Sequence, residues 1–276
     1  MFHIIASTGR TATTYIAAGL NQVDGVVACH EGYVGSDHEG EPILPLINLE
    51  NNLAFQIRAK AADVVAQKRN AEAIGAALKL AQADTLVDVA YYNPTIAEAL
   101  LEAHPSLEMV GIVREPEGFV RSATQLEGED PMPVGWPHPD KELTDREKFI
   151  SFGRIRPGRK SPEWAEWKQW SAIRRNIWLW RETNRLLFEA EARFPERVTL
   201  IDFSLLKEDE SRFWQQIFGT FGLPSKHFVN HDALSAFRNR KPGGAQVGKA
   251  DGWTLEEREA LNAAIAEYTG FKGNGT

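Results

Sequence analysis

The chain has 276 residues, 43% of them hydrophobic and 25% charged, a balance that excludes a wholly disordered chain and allows one large domain or two small ones. A single cysteine, Cys29, excludes a disulfide scaffold and a cysteine-built zinc or iron–sulfur centre. The net charge of −7 argues against a long nucleic acid as partner, because that binding draws on a broad positive field. A small anion needs only a few local arginines and stays open.

The N-terminal sequence MFHIIASTGRT lacks a basic lead and its apolar run is too short for a signal peptide. No apolar stretch approaches the roughly 20 residues that cross a bilayer. A cytoplasmic protein without a membrane partner is expected.

Phe2 to Ala6 (FHIIA) reads as a buried parallel strand. Ser7 to Arg10 follows as a small polar turn, and Thr11 opens a segment with helical apolar spacing at Ile16, Ala17 and Leu20. Val26 to Cys29 predicts a second strand. Residues 59–82 are rich in alanine and straight-chain side chains and predict one helix. Thr85 to Val89 predicts a third strand, Pro94 to Ala103 a helix with proline in its first turn, and Leu107 to Val113 a fourth strand, with Pro116 opening another helix. Residues 128–162 hold six of the fourteen prolines and read as an insertion or lid, since so long a connection is usually functional. Beyond it, 163–192 predicts a long helix, Val198 to Asp202 a fifth strand, and Arg212 to Phe221 and Thr254 to Tyr268 two more helices. Strands alternating with helices imply an α/β fold, a three-layer sandwich whose central, mainly parallel sheet of about five strands is flanked by helices. One domain over 1–276 is expected.

Four constellations carry candidate chemistry. In Ser7-Thr8-Gly9-Arg10-Thr11-Ala12-Thr13-Thr14, backbone N–H groups between a strand and a helix N-terminus form an anion site. The threonines add hydroxyls, or alternatively cap the helix; Arg10 adds a planar cation that capping does not require. The segment cannot be written as the GxxxxGK[ST] phosphate loop. Arg114 stands at the end of the fourth strand, where open α/β sheets bind ligands, with Ser122 about two turns into the next helix; the alternative is a surface pair of Arg114 with Glu115 or Glu117. Arg240-Lys241-Pro242-Gly243-Gly244 offers cations and amides to a phosphate, or is a solvated basic loop. After the second strand, His30 and Glu31 are candidates for a general base, with His38 a third. The tryptophans at 164, 167, 170, 178 and 180 crowd one segment and read mainly as packing.

Together these pieces resemble the sulfotransferases that use 3′-phosphoadenosine-5′-phosphosulfate (PAPS), in the same order along most of the chain. The family's [KR]-[ST]-G-[ST]-[ST] element, which binds the 5′-phosphosulfate, is similar to Arg10-Thr11-Ala12-Thr13-Thr14. Its 3′-phosphate element, an arginine with a nearby proline and a serine eight positions on, is similar to Arg114-Glu115-Pro116 and Ser122. Leu200-Ile201-Asp202-Phe203-Ser204-Leu205 resembles its late strand, and Arg240-Lys241 through Gly252-Trp253 its C-terminal basic loop. The resemblance implies a P-loop NTPase-like fold, PAPS as co-substrate, no metal, and a small-molecule acceptor with a hydroxyl or amine. It assigns cofactor contacts to residues 7–14, Arg114, Ser122, Arg240 and Lys241, catalysis to Arg10, and the base to Glu31 with His30 beside it. Two departures stand out: Ala12 replaces the family's glycine, and Asp88 to Pro94 holds neither the histidine nor the lysine found there in many members. A small-molecule kinase with an altered loop and a non-catalytic nucleotide-binding protein are the competing readings.

Overall fold

The computed structural model describes residues 1–34, 40–124, 153–167, 169–224 and 248–273. Its strands are β1 (Phe2–Ser7), β2 (Val26–His30), β3 (Thr85–Ala90), β4 (Met109–Val113) and β5 (Val198–Asp202). They form one sheet in the order β2-β3-β1-β4-β5. Every pairing is parallel, so the expectation of a mainly parallel sheet becomes a wholly parallel one among the described residues. The first four strands are buried along their whole length, as near-continuous apolar strands in a parallel sheet must be. Edge strand β5 is buried only in part.

Side chains alternate across the pleat, and each face receives its own helices. Ile5, Val110 and Ile201 pack with Ile16 of α1 (Thr13–Leu20) and Trp214 of α10 (Glu210–Thr220). Ile4 and Ala6 pack on the other face with Ile96 and Leu100 of α5 (Asn93–Ala103) and Leu187 of α8 (Ala172–Arg193). Each such isoleucine, leucine or valine contributes roughly 1.5–3 kcal/mol on burial. This is the three-layer sandwich expected from the sequence. A third apolar cluster joins Phe119 of α6 (Pro116–Thr124), Trp178 and Trp180 of α8, Trp253, and Leu261 of α11 (Leu255–Gly273). The tryptophans at 167, 178 and 180 are buried, in line with a packing role.

Two expected helices are broken. Residues 59–82 form α3 (Ala59–Lys68) and α4 (Ala71–Ala81), preceded by α2 (Leu49–Gln56). The break lies at Arg69 and Asn70. The Asn70 side chain caps α4 by accepting from Ala73 N at 2.9 Å, while Arg69 turns inward to Asp88. Residues 163–192 likewise split into α7 (Glu163–Trp167) and α8, because Ser171 caps α8 by accepting from Arg174 N at 3.2 Å. The turn α9 (Leu205–Glu208) follows β5. Among the described residues no helix is long and apolar enough to cross a membrane. Most of the expected insertion at 128–162 lies outside the described residues, as do His38, Arg240 and Lys241.

Candidate active site at the carboxyl edge of the sheet

In a parallel sheet all strands end on the same edge, so register alone brings distant residues together. Ala6 pairs with Ala90, His30 with Val89, Ser7 with Ile112 and Val113 with Asp202. The residues that leave these strands, Thr8, Glu31, Tyr91, Arg114 and Phe203, therefore stand in one row. The chain leaves β1 toward β2 on one side and reaches β4 on the other, so the row is centred on a topological switch point, where such sheets form a crevice.

The turn after β1 is built from its own hydroxyls and from unusual backbone angles. Ser7 Oγ accepts from Gly9 N at 3.0 Å and from Thr11 Oγ1 at 2.8 Å. Gly9, Arg10 and Ala12 all have φ between 56° and 74°, a left-handed conformation that costs about 1–2 kcal/mol for a residue with a Cβ. Such turns aim successive amides into one concavity. Helix α1 starts at Thr13, two residues later than its apolar pattern indicated, and its N-cap position, Ala12, supplies no side-chain cap. The capping alternative for the threonines is thus not what the turn does.

The two arginine motifs meet here. Arg114 Nη1 donates to the carbonyl oxygen of Arg10 at 2.6 Å, and Arg10 Nε donates to Ser122 Oγ at 3.0 Å. The Arg114 guanidinium lies over the Phe203 ring at 5.1 Å, and Trp180 Nε1 donates to the Arg114 carbonyl at 2.8 Å. Glu115 comes no closer to Arg114 than 3.8 Å, so the surface-pair alternative describes the lesser of its contacts. Burial pushes the Arg114 pKa down, and the neighbouring Arg10 and Arg121 cations add to this. Arg114 Nε is buried with no hydrogen-bond partner among the described residues. A cluster of cations with an unfilled buried donor has the chemistry of an anion site.

On the β2 side, Thr13 Oγ1 lies 3.1 Å from His30 Nε2, which lies 3.9 Å from Glu31 Oε1. Glu31 has φ 54°, a strained turn that carries its carboxylate out of the strand. The His30 side chain is 9% exposed and that of Glu31 29%, so of the two candidate bases Glu31 is the one open to an incoming molecule. The structure thus gathers residues 7–14, His30, Glu31, Arg114 and Ser122 at one edge.

Sequence reasoning missed two features. Arg154, within the expected insertion, is buried and donates from Nη1 to Thr8 O at 3.2 Å; no motif marks it. Arg69 and Asp88 form a fully buried pair at 2.9 Å. Its signal was an acid in the middle of the apolar strand TLVDV, which demands a buried cation.

No family model matches the chain, and no curated protein matches it in sequence. Solved structures do. The sulfotransferase from Alicyclobacillus acidocaldarius superposes with a TM-score of 0.51 at 14% identity, covering 96% of this chain and 91% of its own. The fold is that of the sulfotransferases. Sulfotransferase STF9 from Mycobacterium avium gives a TM-score of 0.50 at 14% identity over 96% of this chain and 75% of its own. Among the described residues, the switch-point turn and the end of β4 bring Arg10 and Arg114 into contact.

Proposed function

We propose that the protein transfers a sulfuryl group from PAPS to a hydroxyl or amine of a small molecule. The observation that carries this reading is the Arg114–Arg10–Ser122 contact, which joins the two phosphate-type motifs into one cationic edge. PAPS supplies an activated sulfuryl group, whose transfer breaks the S–O bond to the 5′-phosphate and forms an S–O bond to an acceptor hydroxyl or an S–N bond to an acceptor amine. The amides of residues 9–14 with Thr13 and Thr14 hold the 5′-phosphate, and Arg10 stabilises the charge that grows there as the bond electrons leave with it. Arg114 and Ser122, with Arg240 or Lys241 as further candidates, hold the 3′-phosphate and fix the register for in-line attack. Glu31 takes the proton of the attacking group, a step worth typically about 10²–10⁴ in rate. His30, between Thr13 and Glu31, orients that carboxylate against the turn.

A melting assay with adenosine 3′,5′-bisphosphate, run without magnesium, tests the reading. Binding to the native state alone raises stability by about 2.7 kcal/mol at a hundredfold excess over Kd, so a clear rise in Tm is expected. Stabilisation only by ATP with magnesium would replace this reading with a kinase.

A further inference from the structure

Arg154 belongs to no motif, and the mechanism above does not use it. It is 5% exposed. It donates from Nη1 to Thr8 O at 3.2 Å and lies over the Tyr91 ring at 4.8 Å. Its Nη1 and Nη2 would stand 3.7 and 3.9 Å from a Cβ built on Gly9, so the guanidinium flanks the glycine of the switch-point turn. Neither contact neutralises it, and Nε is buried with no partner among the described residues. A guanidinium at this depth is costly unless an anion completes it.

The sheet order says which part of a ligand would meet it. The turn after β1 lies between β3 and β4. On the β4 side stand Arg114 and Ser122. On the β3 side stand Tyr91 and Arg154, with Glu31 beyond them at the end of β2. Burial lowers the Arg154 pKa, Tyr91 and the Glu31 carboxylate oppose that shift, and the Arg10 cation adds to it, so both the proposed base and the proposed phosphate cation lie within its electrostatic reach. A donor lying along the turn with its 3′-phosphate toward β4 presents its other end to β3.

Resting on the sulfuryl-transfer reading, we infer that Arg154 binds the transferring sulfuryl group itself, holding it between the turn and Glu31. Its bond to Thr8 O fixes the guanidinium and leaves Nε and Nη2 as the donors for the group that moves.

The sulfuryl group is the difference between PAPS and adenosine 3′,5′-bisphosphate, so titrating both nucleotides by calorimetry isolates the contact. Arg154→Met is expected to weaken PAPS by about ten- to hundredfold, the loss of one charge-assisted contact, while the bisphosphate changes by less than about twofold. Arg154→Lys, which keeps the charge and disturbs packing least, is expected to recover part of the PAPS affinity. Equal weakening of both nucleotides in both variants would overturn the inference and leave Arg154 as a prop for the turn; unchanged affinities would overturn it as well. A wild-type protein that binds neither nucleotide overturns the sulfuryl-transfer reading and this inference with it, whereas a wild type that binds both separates the two.

Discussion

Ser122 and Arg10 are 112 positions apart, and their hydrogen bond is where the two halves of the site touch. Replacing Ser122 by alanine removes the Oγ that accepts from Arg10 Nε at 3.0 Å. A bond to a charged donor contributes about 1.5–3 kcal/mol. Arg10 is only half-buried, so water partly substitutes and the low end applies. Ser122→Ala should then lower the stability of the ligand-free protein by about 1.5 kcal/mol and, since Ser122 is also proposed to hold the 3′-phosphate, weaken adenosine 3′,5′-bisphosphate by roughly tenfold, about 1.4 kcal/mol. Arg10→Met should cost more, because it also removes a cation from the anion. The double variant should fall short of the product of the two, with a coupling of about 1 kcal/mol, within the range for residues in direct contact. Calorimetry gives the cycle for the nucleotide, and thermal melting gives it for the ligand-free protein. Additivity within about 0.3 kcal/mol in both measurements would refute the claim that these side chains meet, and with it the joined site.

Glu31→Gln should retain bisphosphate binding and lower turnover by about 10²–10⁴ in an assay of sulfuryl transfer from PAPS; near-wild-type turnover would move the base role to His30. Ala12→Gly relieves a left-handed backbone angle of 57°. It should leave Tm unchanged or raise it, against the usual loss of about 0.5–1 kcal/mol for glycine at an interior helix position. Asp88→Ala strands the buried Arg69 cation and should cost about 3–5 kcal/mol in a urea melt, while Arg69→Met with Asp88→Leu should restore most of that stability. His3 is stacked on Phe221 at 4.7 Å, and burial, helped by the N-terminal charge, lowers its pKa to about 4. Its unfolded pKa is about 6.5, so stability is fully present above that value and falls as the pH drops from 6.5 toward 4, by roughly 3 kcal/mol in all. His3→Phe should flatten that slope in a pH series of melts.

Strand and helix order was legible because the signals are local. Unbroken apolar runs such as FHIIA and VVAC need two covered faces, and the segments between them carry helical spacing. The switch-point turn was legible too, since a small polar stretch with an arginine between a strand and a helix has few other uses. The helix breaks at Arg69–Asn70 and at Ser171 were not, because each depends on one side chain turning back to cap the next helix, while the residues on both sides are good helix formers. The αL angle at Ala12 was equally hidden: alanine itself carries no signal for it, and the turn's hydrogen bonds impose it.

By itself, then, the sequence determined a parallel α/β sandwich and named Arg10, Arg114, Ser122 and Glu31 as residues to watch. Only tertiary structure decided that they share one edge, because strand order and register are settled by pairings between segments some 80 to 110 positions apart. Tertiary structure alone also brought Arg154 to Gly9 and Arg69 to Asp88. A buried cation reveals its purpose through the group it meets, and that group lies in a distant part of the chain.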